Sequence, residues 1–197
     1  WELFWLVDPL DGTVEFIRGN NEFTINIALM ENNVCQAAVI YVPYLRKIYV
    51  AGRGWGAYVK EPVMPDPAAA FTYDRIVNGW RRLPLSDRRH AVPRVAVSRS
   101  HQTPETFAHI DALRERCGAL EVFEQGSSYK FCLLAEGTAD YYVRTSDTYE
   151  WDTAAGELIL AEAGGSTRTL ADGAVFRYNK EDLHNPWFVC RSKYCAL

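Results

Sequence analysis

The stretch Phe4–Phe16, FWLVDPLDGTVEF, limits what this chain can become more than any other. Four apolar residues with strand preference, Phe4 to Val7, run directly into Asp8 and Asp11, with Pro9 between them and Gly12-Thr13 behind. Two like charges at the end of a buried strand repel each other and lose hydration. Brought together by a turn, they form a hard oxygen cluster suited to Mg²⁺, and a divalent cation offsets both costs. Gly12 would let a phosphate approach the backbone, and the successive amides of Gly12 and Thr13 would form an anion nest. The same residues also suit an Asx-turn in which Asp8 or Asp11 caps the local backbone.

A second stretch, EWDTAAGELILAEAGG from Glu150 to Gly165, places Asp152 behind a Trp at the first turn of a helix. By itself that aspartate is an N-terminal cap or dipole partner. Read with the acidic turn, it is a third carboxylate delivered from a distant part of the chain, as a two-metal site requires.

Between and around these stretches the chain changes character. EFTINIALM (Glu22 to Met30) and CQAAVIYVP (Cys35 to Pro43) alternate, and the intervening ENN predicts a hairpin turn. KIYVAG and WGAYVK extend it as a meander. The segment from Glu61 to Pro93 is Pro-rich and then Arg-rich with few periodic apolar positions. It reads as a boundary, either a solvated loop or a positive rim that draws in an anionic substrate. Beyond it, RVAVSRS predicts a strand, and TPETFAHIDALRERCG a helix capped by Thr103 and stopped by Gly118. ALEVFEQ and ADYYVR read as strands on either side of a buried helix, SSYKFCLLAEG. The expected organisation is a truncated N-terminal half at 1–74 with the acidic turn and meander, a connecting loop at 75–93, and an α/β half at 94–197.

The 197 residues carry a net charge of −4, which argues against a general nucleic-acid binder, so an anionic partner must be held locally. Five cysteines, odd in number and without a C-x-x-C pair, read as reduced thiols of a cytosolic protein rather than a disulfide frame or zinc site. No apolar run approaches the roughly 18 residues that span a bilayer. The chain opens on Trp1, almost inside a strand, and the expectation is a fragment without its first N-terminal elements.

Asp8-Pro9-Leu10-Asp11-Gly12-Thr13 and Trp151-Asp152-Thr153-Ala154-Ala155 together resemble the inositol monophosphatase superfamily signatures D-P-[IL]-D-G-[ST] and W-D-x-[AG]-A. GTVEF, SRSH (Ser98 to His101), GSSYKFCLLAEGTADYYVR (Gly126 to Arg144) and the terminal NPWF are similar to its bacterial 3'(2'),5'-bisphosphate nucleotidase branch. The resemblance implies the layered α/β sandwich of the inositol monophosphatase and fructose-1,6-bisphosphatase type, here missing its first helices. It further implies two or three Mg²⁺ ions. Asp8 would bridge two of them, the Leu10 carbonyl would bind one, and Asp11 and Asp152 would hold the other. Thr13 would orient and deprotonate the attacking water, which displaces the leaving oxygen in line without a covalent intermediate. His101, Ser127, Lys130 and Arg144 would contact the nucleotide, the two cations holding its non-reacting phosphate. On residue chemistry alone, Ser127 is equally a helix cap and His101 a surface histidine. A metal-binding glutamate expected upstream of Asp8 has no counterpart, since Glu2 lies inside the strand.

The implied activity is removal of the 3'-phosphate from adenosine 3',5'-bisphosphate in sulfur assimilation, by a cytoplasmic protein. Peripheral association with the inner membrane and a homodimer are left open as family expectations. An inositol monophosphatase is the alternative within the same chemistry. A phosphate- or nucleotide-binding fragment without turnover, or one that aggregates through an uncovered sheet face, are the others.

Overall fold

The structure, a computed structural model, describes residues 1–64, 66, 72–87 and 89–197. Half of the Pro-rich run and position 88 of the Arg-rich run lie outside the described residues.

Alternation organises the first half. β1 (Leu3–Asp11) turns Phe4, Leu6 and Asp8 inward, while Leu3, Trp5 and Val7 stay open on the opposite face at 64%, 62% and 47% exposure. A short helix, α1 (Thr13–Arg18), follows between two left-handed glycines, Gly12 and Gly19. The meander then runs through β2 (Thr24–Glu31), β3 (Val34–Val42), β4 (Lys47–Gly52) and β5 (Gly56–Lys60), all antiparallel neighbours in order. Helix α2 (Tyr73–Gly79) and the two-residue strand β6 (Arg81–Arg82), which closes this six-stranded sheet, fall in the stretch read as a boundary. Their apolar residues, Ile76 and Trp80, pack on Ile48, Val50 and Tyr58 of the outer face. Too few apolar positions recur there to show a helical period in the sequence.

The second half alternates as expected: β7 (Arg94–Ser98), α3 (Pro104–Cys117), β8 (Glu121–Gln125), α4 (Tyr129–Glu136), β9 (Tyr141–Arg144) and α5 (Glu150–Glu162). Thr103 Oγ1 accepts from the Thr106 amide at 3.3 Å and Gly118 ends α3, as the sequence punctuation requires. β10 (Ser166–Thr169) and β11 (Phe188–Arg191) complete a five-stranded sheet of order β10-β11-β9-β7-β8. Both are four residues long, too short for a period to declare itself.

Helices α4 and α5 lie between the two sheets. One apolar core joins Met30, Ile40 and Tyr49 of the first sheet to Phe131, Leu158 and Ile159 of these helices and to Tyr142 and Phe188 of the second sheet. Helix α3 covers the far face of the second sheet through Ile110 and Leu113. The result is a layered α/β sandwich. A buried ion pair, Lys47 Nζ to Glu136 Oε1 at 2.5 Å, with the Tyr49 hydroxyl donating to the same oxygen at 2.7 Å, pins the end of α4 to the first sheet.

The two central helices touch at Gly156. A Cβ there would stand 2.5 Å from Cγ of Phe131 and 2.8 Å from its Cβ, on a ring that is itself buried. Overpacking of this kind costs about 1–3 kcal/mol, against roughly 1 kcal/mol gained when alanine replaces a helical glycine. Gly156→Ala should therefore lower the urea midpoint of the chain; an unchanged or raised midpoint would show that α4 and α5 do not need this close approach.

Candidate metal and phosphate site

The acidic turn is built on a register shift. β1 pairs with β2 residue for residue down to Asp8 opposite Asn26, and the next pair is Asp11 opposite Thr24. Three steps on β1 thus match two on β2, an inserted residue of the β-bulge kind. Without it, residues three apart in a strand point to opposite faces. With it, Asp8 and Asp11 share a side. Pro9 sits in the irregular step, where a missing N–H costs no ladder bond.

Asp8 Oδ1 accepts the Leu10 amide at 3.0 Å, so the local turn read from the sequence forms as well. Thr13 Oγ1 donates to the Leu10 carbonyl at 3.1 Å. Gly12 adopts φ +84°, and a Cβ there would lie 2.9 Å from the Glu22 carbonyl and 3.2 Å from Cβ of Ser127. The glycine is required by its own backbone and by these two neighbours.

Asp152 arrives on the first turn of α5, where its Oδ2 accepts the Tyr149 amide at 2.8 Å. That helix start is held from below by Glu150, fully buried, which accepts the Asn179 amide at 2.7 Å and Lys180 Nζ at 2.5 Å. Its capping role and its place in the cluster coexist. One carboxylate oxygen each from Asp8, Asp11 and Asp152 lies within 4.8 Å of the others. No lysine or arginine among the described residues forms an ion pair with any of the three. Burial raises the Asp152 carboxyl to about 7, with the charges of Asp11 and Asp8 adding to it. Burial, then the Asp11 charge, also raises Asp8. A hard divalent cation fits this donor set of all-oxygen ligands and uncompensated charge.

Of the remaining candidate residues, Ser127 and Lys130 adjoin the cluster. A cavity of about 40 Å³ is lined by Asp11, Ser127, Lys130 and Asp152. Lys130 is buried, its Nζ donating to the Gln125 and Ser127 carbonyls at 2.9 and 2.7 Å, and lies 5.0 Å from the centre of the Tyr142 ring. Burial, reinforced by Arg144, lowers the Lys130 ammonium to about 7. Arg144, also buried, donates from Nε and Nη2 to the Ser146 and Asp147 carbonyls. Ser127 takes φ +54° and its hydroxyl accepts the Tyr129 amide at 3.3 Å in a local turn, while the N-cap position of α4 belongs to Ser128. His101 stays at the surface, its carbonyl accepting Ser146 Oγ at 3.0 Å, and partial burial with Arg144 lowers its imidazole pKa.

The sequence reading omitted the residues that hold Asp11. Its Oδ2 accepts Thr24 Oγ1 and Asn26 Nδ2, both at 3.2 Å, the Ser128 amide at 2.6 Å and Ser128 Oγ at 2.5 Å. A signal was present: Thr24 and Asn26 occupy the inward register of β2 shared with Ala28 and Met30, where polar side chains are out of place unless they have partners. Glu22 was passed over too. It accepts both a fork from Arg99 at 2.8 Å and the Gly126 amide at 2.7 Å, tying the segment before Ser127 to α1's loop.

The chain matches the inositol monophosphatase family over residues 1–194. It is 37% identical over 188 residues to the 3'(2'),5'-bisphosphate nucleotidase CysQ of Salmonella typhimurium, covering 95% of this chain and 68% of that protein. With CysQ of Buchnera aphidicola the identity is 36% over 179 residues, 88% of this chain and 57% of the relative, so the chain spans little more than half of that protein's length. Among solved structures, CysQ from Bacteroides thetaiotaomicron superposes with a TM-score of 0.91 at 45% identity, over 98% of this chain and 71% of the other. A 2'AMP-bound staphylococcal inositol monophosphatase, at 21% identity, a TM-score of 0.72 and coverage of 98% and 65%, shares the fold. The match along nearly the whole chain, on a sandwich whose acidic bulge and α5 aspartate meet as found here, makes it a member of the inositol monophosphatase family.

Proposed function

We propose that this chain carries the metal and phosphate core of a Mg²⁺-dependent phosphatase that converts adenosine 3',5'-bisphosphate to AMP and phosphate, clearing a by-product of sulfur assimilation. The observation that carries the reading is the convergence of three uncompensated carboxylates, from β1 and α5, beside the buried Lys130. The names of the CysQ relatives support the choice of substrate. Asp8, Asp11, Asp152 and the Leu10 carbonyl would hold the ions, and bound Mg²⁺ would supply charge stabilisation for the phosphoryl group and its attacking water. Thr13, whose hydroxyl donates to the Leu10 carbonyl at 3.1 Å, would orient that water. The Gly12 and Thr13 amides offer donors to the phosphate. Phosphate release from the bisphosphate by the 197-residue chain should require Mg²⁺ and vanish in Asp8→Asn. Release that persists in that variant overturns the assignment; a folded chain that binds nucleotide without release supports a binding role instead.

Substrate choice falls to the cations, and they are not equivalent. Lys130 has given two of its three N–H donors to backbone carbonyls, whereas Arg144 has given two of five. Arg144 therefore has more capacity to grip a second phosphate. A hydrogen bond to a charged group contributes about 1.5–3 kcal/mol, so Arg144→Gln should lower kcat/KM for the bisphosphate by roughly 10- to 150-fold. Inositol 1-phosphate, which has no second phosphate, should lose much less. Equal losses on both substrates would show that Arg144 does not read that phosphate.

The acidic cluster also sets a pH signature. In the metal-free chain the folded Asp152 carboxyl titrates at about 7, above its ordinary 3.8, so the native state retains a proton that the unfolded chain has released. Stability then falls as pH rises across that interval. Between pH 5 and pH 8 in chelator, the Tm of the wild-type chain should decline more steeply than that of Asp152→Asn, and Mg²⁺ should flatten the difference by replacing the proton. Parallel pH profiles of the two chains would refute the coupling.

A further inference from the structure

Asp11 and Asp152 lie far apart in the sequence, and one side chain touches both of their neighbourhoods. Ser128 is buried at the start of α4. Its hydroxyl lies 2.5 Å from Asp11 Oδ2 and 2.7 Å from the backbone carbonyl of Asp152. Asn26 Nδ2 donates to the same Ser128 oxygen at 3.0 Å, so its acceptor side is engaged as well.

The hydroxyl has one proton and two acceptors within reach. A carboxylate oxygen is a stronger acceptor than a backbone carbonyl and is also the nearer of the two, so the proton goes to Asp11 Oδ2. The Ser128 amide adds a second donor to that oxygen at 2.6 Å. With Thr24 and Asn26 also directed at it, Oδ2 is engaged by four donors, while Oδ1 accepts no hydrogen bond among the described residues.

We infer that Ser128 is a positioning residue that fixes the Asp11 carboxylate for metal binding and couples β1 to the helix that carries Asp152. This rests on the metal reading of the acidic cluster. It separates Ser128 from Ser127, whose own hydroxyl accepts only the Tyr129 amide among the described residues. It also gives Asn26 a role, because its amide bridges the Ser128 oxygen and the Asp11 carboxylate.

The test titrates Mn²⁺ alone into the 197-residue chain and follows the free-ion EPR signal, with no turnover required. Ser128→Ala keeps the amide contact to Asp11 and removes the hydroxyl. Loss of a partner that orients a metal ligand typically costs about 10- to 100-fold in affinity, and that is the weakening expected. Ser128→Thr, which restores a hydroxyl, should recover most of it. Ser128→Cys, with a weaker donor of similar shape, serves if the alanine chain does not fold, and should show an intermediate loss. Mn²⁺ affinity unchanged in Ser128→Ala, or a fall in metal-free Tm with affinity preserved, overturns the inference. Absence of Mn²⁺ binding by the wild-type chain overturns the metal reading beneath it and is distinguished from those outcomes by the wild-type titration itself.

Discussion

Mutual repulsion among three half-buried carboxylates is the constraint around which this molecule is arranged. Burial first, and the neighbouring carboxylates after it, raise the carboxyls of Asp8 and Asp152. What keeps them together is the fold's own stiffness. A bulged strand end can be held against the core only if the sheet behind it is well paired, and β1 pairs along its length with β2, itself paired with β3. A helix N-terminus can be brought to that strand end only if the helix is wedged. Gly156 against Phe131 and the fully buried Glu150 at the first position of α5 supply the wedge.

The polar scaffold around Asp11 follows the same logic at shorter range. Burying Thr24, Asn26 and Ser128 in apolar surroundings would be costly if they did not satisfy one another and the carboxylate. Their shared acceptor makes the arrangement consistent, with one exception: Asn26 Oδ1 is buried without a hydrogen-bond partner. A buried acceptor in that state is uncommon in a folded protein, and a bound ion or a functional role is among its causes. Here it adjoins the acidic cluster, since the same amide group donates to Asp11.

Much of this was legible in the sequence because it rests on local rules. The strands β2 to β5 declare themselves by alternation, α3 by Thr103, Pro104 and Gly118, and the acidic turn by charges that no buried strand end tolerates unaided. The convergence of Asp152 with the turn was legible only through the family resemblance, since nothing local to Trp151-Asp152 specifies its partner. Short or polar elements escaped. α1, β6, β10 and β11 are each six residues or fewer and take their stability from neighbours rather than from a period of their own. Ser128 escaped for a different reason: two adjacent serines at a helix start are interchangeable as caps, and only the bent backbone at Ser127 decides which hydroxyl turns toward Asp11.

Lys130 shows how the positive side of the site is balanced against the negative one. Its ammonium is held at about 7 by burial and by Arg144, while Asp11, Glu15 and Glu22 pull the other way. A lysine so placed is poised between charged and neutral forms, and its two carbonyl acceptors at Gln125 and Ser127 favour the charged one. Those same bonds brace the left-handed Ser127, and through it the amide of Ser128 that holds Asp11. Cation and carboxylate are therefore connected by backbone rather than by an ion pair. That separation leaves both charges unneutralised by each other, the condition under which a phosphorylated ligand and divalent ions can be bound side by side.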